Sequence, residues 1–219
     1  MGFSAPDLSL YVITDSEVSR GRSHIEVVEK AIAGGATCIQ LRDKKSSVRE
    51  FFLIARDLRD ITRENNVTFI VNDRLDIALA VGADGVHLGE DDLPLYAARY
   101  IMPEEALLGA SPDTLQQAID AERSGASYLG VGPVFYTSTK PDAGMPLGLN
   151  NFSKICRSVS IPVVGIGGID ESNAAEVINA GAAGIAVISG VVGAEDVKEA
   201  ARRLKSKIEL ARGEGGVSG

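Results

Sequence analysis

The stretch VGADGVHLGE (81–90) decides the fold, because three similar stretches occur elsewhere in the chain. These are GGATCIQLRD (34–43), SGASYLGVGP (124–133) and AGAAGIAVIS (180–189). Each combines a Gly-Ala turn of the kind that ends a helix with a short apolar strand that closes on polar or glycine residues. The spacing between them is about twice the length of one strand-helix unit, so we expect one further strand in each interval.

Apolar runs lie in these intervals and complete an alternation of strands and helices. The additional strands are LSLYVIT (8–14), VTFIVND (67–73), ALLGAS (106–111) and IPVVGIGG (161–168). The pattern between them predicts helices over about 23–33, 47–64, 74–81, 94–101, 113–123, 149–157, 171–179 and 194–211. Asp113 and either Asp170 or Glu171 stand where helix N-terminal caps or first-turn acids are expected.

Eight strand-helix units in one chain predict an α/β fold, namely a single-domain (β/α)8 TIM barrel. The strands are near-continuous runs of valine, isoleucine, leucine and glycine, which is typical of parallel strands covered on both faces. An open doubly wound sheet is the alternative, but the even repeat favours a closed barrel. We expect one domain over residues 1–219, with the barrel at about 8–211 and a flexible tail at 212–219.

Composition and charge narrow the classes of function. The chain of 219 residues has no apolar run of the ~20 residues that a transmembrane helix needs. Its formal charge of -8 argues against non-specific binding to nucleic acid or to anionic membranes. No secretory signal is apparent at the N-terminus, and Cys38 and Cys156 lack CxxC spacing, so we expect reduced cysteines and a cytoplasmic protein. A homo-oligomer is compatible with the sequence.

In a (β/α)8 barrel the functional site lies at the carboxyl ends of the strands. The seventh and eighth strands end in Gly167-Gly168 and Ser189-Gly190, each before a predicted helix. Glycines let backbone N–H groups approach an anion closely, and helix N-termini add partial positive charge. Glycines also serve ordinary tight turns, but the two loops together favour a phosphate site.

Cations follow the second and sixth strands. Arg42 and Lys44 come directly after the apolar run of the second strand, and Lys140 follows the hydroxyl-rich segment TST after the sixth. The segment around Arg42 also fits a solvated surface loop, but its place at a strand end suits a second anion. If both sites bind, the substrates carry at least two phosphate groups, and one of these can be a pyrophosphate.

Carboxylates follow the third and fourth strands, which are neighbours in the predicted barrel. Asp73 ends the third strand, and Glu90, Asp91 and Asp92 follow the fourth. Acids that face bound phosphate repel it unless a cation lies between them, and Mg²⁺ accepts one or two carboxylates together with phosphate oxygens. We therefore predict Asp73 and Asp92 as Mg²⁺ ligands, while Glu90 and Asp91 face water or order the loop.

The chain has two histidines, His24 and His87. We expect His24 at the surface near a helix start, and His87 packed or hydrogen-bonded within the fourth strand. The sequence shows neither a Ser-His-Asp arrangement nor a zinc-type ligand cluster, so hydrolysis by a nucleophilic triad is not supported.

With these residues in place, the chain closely resembles the thiamine-phosphate synthase family over nearly its whole length. Six motifs in order carry the resemblance: YVITD, QLRDK, VNDRLDIALAVGADGVHLGEDDLP, GVGPVFYTSTK, VVGIGGI and GIAVIS. Each motif is weak alone, but together they are specific. The family joins an aminopyrimidine methyl pyrophosphate to a thiazole phosphate, and it releases pyrophosphate and thiamine phosphate.

The resemblance implies a role for each matching residue. Arg42, Lys44 and Lys140 would bind the departing pyrophosphate, and Asp73 and Asp92 would hold its Mg²⁺. Thr137 and Thr139 would contact the thiazole phosphate, together with the backbone around Gly168, Ile188 and Ser189. Gln40, Asn72 and Ser111 would line the pyrimidine pocket, and Ser111 would join the three cations as a catalytic residue.

Departures from the family pattern occur at three places, and alternatives remain open. Glu90 stands where the family often has glutamine, Pro112-Asp113 where it often has a pair such as Thr-His, and Tyr136 where it often has proline. The alternatives are a thiazole tautomerase-like isomerase, a non-catalytic phosphate-binding regulatory paralogue and a phosphate-sugar isomerase barrel. Intact Asp73, Asp92 and TSTK favour the synthase over the tautomerase, and no catalytic acid-base pair for a sugar isomerase is apparent.

Overall fold

A computed structural model describes residues 6–137, 139 and 144–213. Its strands are β1 (Leu10–Ile13), β2 (Cys38–Leu41), β3 (Thr68–Asn72), β4 (Gly85–Leu88), β5 (Leu107–Ala110), β6 (Tyr128–Val131), β7 (Val163–Ile166) and β8 (Gly184–Val187). Its helices are α1 (His24–Ala33), α2 (Val48–Glu64), α3 (Leu75–Val81), α4 (Leu95–Ile101), α5 (Leu115–Arg123), α6 (Gly148–Ser158), α7 (Ala174–Asn179), α8 (Ser189–Val192) and α9 (Val197–Arg212). The predicted alternation of strands and helices is confirmed.

The eight strands form a closed barrel in sequence order, and every neighbouring pair is parallel. Closure occurs where β1 pairs with β8, since Tyr11 lies opposite Ala186 on one side and Cys38 on the other. This topology confirms the predicted (β/α)8 barrel and excludes the open doubly wound sheet. It also places the eight carboxyl strand ends around a single mouth.

Alternating residues of each strand face two different apolar layers. In β1, Leu10 and Val12 belong to the outer layer between strands and helices. Tyr11 and Ile13 belong to the inner layer that fills the barrel. Two of the largest fully buried side chains, Tyr11 and Tyr128, lie in this inner layer. The barrel interior therefore contains phenol hydroxyl groups that require hydrogen-bond partners.

Two of the expected helix caps are wrong. Helix α5 is capped by Thr114, whose hydroxyl accepts from the Gln117 N–H at 3.2 Å, and not by Asp113. Helix α7 begins after Asn173 without a side-chain cap, while the Asp170 carboxylate accepts hydrogen bonds from Ser172 instead. Thr114 is the cap of α5 because the Gln117 side chain also accepts a hydrogen bond from the Thr114 N–H, which completes a capping box.

The chain after β8 differs from the predicted pattern. The four-residue helix α8 follows β8 directly and was not predicted, and the last helix begins at Val197, with Asp196 as its cap, rather than at 194. Helix α9 continues through Arg212, whereas residues 214–219 of the expected tail lie outside the described residues. Among the described residues, no helix is both long and apolar enough to cross a bilayer.

Candidate active site

The mouth of the barrel is a cavity of about 710 Å³ at the carboxyl ends of the strands. All predicted site residues that the structure describes line this cavity: Gln40, Arg42, Lys44, Asn72, Asp73, Asp92, Ser111, Thr137, Thr139, Gly168, Ile188 and Ser189. Lys140, the remaining predicted residue, lies outside the described residues. Residues far apart in the sequence thus meet because each follows, or ends, a different strand of one closed barrel.

Asp73 and Asp92 lie side by side in this cavity. Asp73 follows β3 with a left-handed backbone (φ 61°), and its N–H donates to the His87 carbonyl at 2.9 Å. Asp92 closes the turn after β4, since its Oδ2 accepts from the Gly89 N–H at 2.7 Å. A backbone N–H therefore fixes the Asp92 carboxylate, a backbone hydrogen bond fixes the main chain of Asp73, and the two neighbouring strands bring the side chains together.

The pKa of Asp73 reflects this pairing. Burial, and next the neighbouring Asp92 carboxylate, raise the pKa to about 6, while Lys44 and Arg42 act in the opposite direction. A carboxylate pair that repels itself gains stability from a divalent cation, and Mg²⁺ takes one or two protein carboxylates. Within the described residues no cluster of three or more acidic, histidine or cysteine ligands exists. The pair suits an ion whose other ligands are water and phosphate oxygens.

Arg42 is held in place by the end of β1. Its guanidinium forms an ion pair with Asp15, and both side chains are largely buried. Its N–H donates to the Thr14 hydroxyl at 3.2 Å. The sequence predicted Arg42 at the site but not its partner, because Asp15 follows a different strand. With Asp15 beside it, Arg42 is a positioned cation rather than a mobile one.

The loops after β6, β7 and β8 meet on the other side of the cavity. Gly167 and Gly168 have left-handed backbones (φ 90° and 66°). The Thr139 hydroxyl lies 2.9 Å from that of Ser189, the first residue of α8, so the loop after β6 contacts the start of that helix. Small residues, hydroxyl groups and a helix start therefore lie together at the predicted phosphate site, and phosphate binding itself stays a prediction.

Both histidines contribute contacts that sequence reasoning missed. His24 was expected at the surface, but its side chain is only 9% exposed and its Nε2 lies 3.2 Å from Asp43. His87 is hydrogen-bonded, as expected, and it also lines the cavity together with Tyr11 and Tyr128. The sequence analysis did not single out Tyr11 or Tyr128, because their contacts with each other and with His87 depend on closure of the barrel.

Barrel and mouth together define the class: a (β/α)8 barrel with cationic side chains, hydroxyl groups and a carboxylate pair at the carboxyl ends of its strands. The sequence matches the family described as thiamine monophosphate synthase over residues 10–191. This match covers most of the chain, and the protein therefore belongs to that enzyme family.

Similar proteins agree with this assignment. The chain is 53% identical over 206 residues to the thiamine-phosphate synthase of Chloroflexus aurantiacus, covering 94% of this chain and 95% of that protein. It is 52% identical over 208 residues to the enzyme of the same name from Moorella thermoacetica, covering 95% and 99%. Among solved structures, thiamine phosphate pyrophosphorylase from Pyrococcus furiosus superposes with a TM-score of 0.88 at 47% identity, covering 94% and 98%.

Proposed function

We propose that the protein condenses 4-amino-2-methyl-5-pyrimidinylmethyl pyrophosphate with a thiazole phosphate to give thiamine phosphate and pyrophosphate. The observation that carries this proposal is the Asp73–Asp92 pair, which shares one cavity with the positioned cation Arg42 and with Lys44. Such a set of groups suits the departure of a highly charged anion. The family and the named relatives support the same reaction.

The first step breaks the C–O bond between the pyrimidine methylene carbon and the pyrophosphate oxygen, and both electrons leave with pyrophosphate. Mg²⁺, held by Asp73 and Asp92, would supply charge neutralisation for this leaving group when bound. Arg42 and Lys44 approach the same charge from the β2 loop, and Lys140 is proposed as a third cation. Because Asp15 fixes Arg42 in advance, little reorganisation is needed as charge develops.

The second step joins the thiazole nitrogen to the methylene carbon of the resulting pyrimidine cation. The nitrogen supplies the electron pair, so no proton has to be removed and no general base is required. Thr137, Thr139 and the backbone near Gly168, Ile188 and Ser189 would hold the thiazole phosphate. Gln40, Asn72 and Ser111 would hold the pyrimidine. The work of these residues is then to place two reactants in contact and to keep them oriented.

An assay of thiamine phosphate formation tests the proposal. We expect product with Mg²⁺, none in excess EDTA, and a loss of about 100-fold or more for Asp92→Asn, because the metal then loses a charged ligand. Asp60→Asn, which removes an exposed carboxylate on α2, is the matched control and should retain full activity. Full turnover in EDTA would contradict the Mg²⁺ assignment.

If no product forms under any condition, the protein is not a synthase, and the tautomerase-like and regulatory alternatives become the favoured ones. Magnesium binding measured by calorimetry separates the synthase from the tautomerase-like alternative, since the latter does not need Asp73 and Asp92. The cytoplasmic location, the absence of nucleic-acid binding and a homo-oligomeric state stay predictions from the sequence.

A further inference from the structure

A chain of hydrogen bonds crosses the floor of the cavity from β2 to the end of β5. The Gln40 Nε2 donates to the Tyr11 hydroxyl at 2.7 Å, and the hydroxyl groups of Tyr11 and Tyr128 lie 2.8 Å apart. The Tyr128 hydroxyl lies 3.0 Å from Nδ1 of His87, and Nε2 of His87 lies 2.7 Å from the Ser111 hydroxyl. The two ends of the chain, Gln40 and Ser111, are the residues proposed to hold the pyrimidine.

The barrel is built to accommodate the middle of this chain. Tyr11 and Tyr128 are 2% and 1% exposed, so bulk water does not compete for their hydroxyl groups. A Cβ added at Gly109 would collide with both His87 and Tyr128, and one at Gly130 would crowd the His87 ring. Neither glycine has a left-handed backbone. Their lack of a side chain therefore serves to make room for the histidine and tyrosine rings.

The orientation of Gln40 gives the chain a direction. A phenol has one proton, and Tyr11 already accepts a hydrogen bond from Gln40. If Tyr11 directs that proton to the Tyr128 hydroxyl, Tyr128 would donate to Nδ1 of His87, and the imidazole would carry its proton on Nε2. That N–H would donate to the oxygen of Ser111, 2.7 Å away, which leaves the Ser111 hydroxyl proton for a ligand in the cavity.

We propose that Tyr11, Tyr128 and His87 are positioning residues that fix Gln40 as a hydrogen-bond acceptor and Ser111 as a hydrogen-bond donor toward the pyrimidine. Gln40 keeps its Oε1 for the cavity because its Nε2 is used by Tyr11. An aminopyrimidine carries the complementary groups, since its amino group donates and its ring nitrogens accept. This inference rests on the proposed function for the identity of the ligand, but the direction of the chain is a property of the free protein.

The tautomer of His87 tests the direction without any substrate. Nitrogen-15 NMR distinguishes the two neutral forms, and the chain has only two histidines, so His24→Asn assigns the signals. We expect His87 in the Nε2–H form in the wild-type protein. In Tyr128→Phe, which removes the hydroxyl at Nδ1 but keeps the ring in the core, we expect the Nδ1–H form to appear. A wild-type Nδ1–H form, or protons on both nitrogens, would overturn the proposal.

A double-mutant cycle tests whether Tyr128 acts through Ser111. We expect Tyr128→Phe and Ser111→Ala each to raise KM for the pyrimidine pyrophosphate by about tenfold, the effect of roughly one hydrogen bond, with KM for the thiazole phosphate unchanged. The double variant should resemble Ser111→Ala rather than show the product of both losses. Ser111→Thr, which keeps a hydroxyl, should restore most of the affinity.

Tyr100→Phe is the matched control, since Tyr100 is 92% exposed on α4 and its hydroxyl lies away from the cavity. Independent losses that multiply in the double variant, or an unchanged KM in Tyr128→Phe, would overturn the positioning role. If the protein forms no thiamine phosphate at all, the proposed function fails while the NMR result still decides the direction of the chain.

Discussion

Asp73 lowers the stability of the metal-free protein through its backbone conformation and through repulsion from a neighbouring carboxylate. Its left-handed backbone (φ 61°) is uncommon for a residue other than glycine, and its carboxylate lies beside that of Asp92. Both features destabilise the metal-free protein. Strain and repulsion at one residue of a functional site are typical where geometry is selected for binding rather than for stability.

Replacement of Asp73 should therefore stabilise the metal-free protein in a pH-dependent manner. The folded pKa of about 6 lies above the ordinary value of 3.8, so the stability that protonated Asp73 contributes is present at low pH and is lost as pH rises through 6. Asparagine tolerates the left-handed backbone and has no charge. After allowance for solvent screening, we expect Asp73→Asn to raise the free energy of unfolding by about 1 kcal/mol at pH 7.5.

Urea denaturation in EDTA at pH 4.5 and pH 7.5 measures this difference. The gain from Asp73→Asn should shrink at the lower pH, where the wild-type carboxyl is largely protonated in the folded state. Added Mg²⁺ should stabilise the wild-type protein and not the variant. An equal difference at both pH values would show that the repulsion has no energetic effect.

At the scale of elements, the loops after β6 and β7 touch each other directly at Gly168. A Cβ at this position would lie 2.5 Å from the Tyr136 carbonyl oxygen and 2.8 Å from the Cβ of Phe135. Alanine here would separate the two loops that form the proposed phosphate site. We expect Gly168→Ala to raise KM for the thiazole phosphate at least tenfold and to lower stability by about 1–3 kcal/mol.

Gly82→Ala provides a close control for that substitution. Gly82 has nearly the same backbone (φ 64°) but no heavy atom near an added Cβ. Gly82→Ala should lower the free energy of unfolding by about 1 kcal/mol, because alanine is strained in a left-handed backbone, and should leave KM for the thiazole phosphate unchanged. Equal kinetic effects at both glycines would mean that backbone strain, not contact between the loops, controls the site.

Arg22 connects the loop after β1 to α8. Its guanidinium donates to the carbonyl oxygens of Val192, Ala194 and Glu195 at 2.9, 2.7 and 3.1 Å, and its Nε donates to that of Ser19 at 2.8 Å. We expect Arg22→Ala to accelerate hydrogen exchange over residues 190–195 while α3 is unaffected, because these carbonyls lose their partners. A lysine ammonium cannot reproduce the planar set of guanidinium donors, so Arg22→Lys should retain only part of the protection of these amides against exchange. Unchanged hydrogen exchange would show that the Arg22 hydrogen bonds do not stabilise residues 190–195.

Helix α8 shows which features could not be predicted from the sequence. Strands and long helices were predictable from apolar runs and turn residues, because those signals lie within one segment. Helix α8 has only four residues, and the carbonyl of its last residue, Val192, accepts a hydrogen bond from Arg22 in a remote loop. The Asp15–Arg42 pair and the contact between Tyr11 and Tyr128 likewise join residues far apart in sequence. The site positions could be read from strand ends, whereas the partners that hold them depend on closure of the barrel.

For the molecule as a whole, closure depends on close approach between β8 and the residues before β1. A Cβ at Gly184 would overlap the Leu8 carbonyl, and Gly184 has no left-handed backbone. Gly184→Ala should therefore cost about 2–3 kcal/mol in the free energy of unfolding, chiefly by opening the β1–β8 pairing. Chemical denaturation measures this loss. A loss of unfolding free energy no larger than that of Gly82→Ala would show that the β1–β8 pairing accommodates the added methyl group.

Pairing of β1 with β8 also sets the order of events during synthesis. Strand β1 leaves the ribosome before β8 and has no second neighbour until β8 has emerged, and Arg22 reaches the carbonyls of Val192, Ala194 and Glu195 only after that point. A nascent chain therefore cannot complete its site by adding one finished unit after another. One edge of β1 stays unpaired until β8 has emerged, and unpaired strand edges favour premature association between chains.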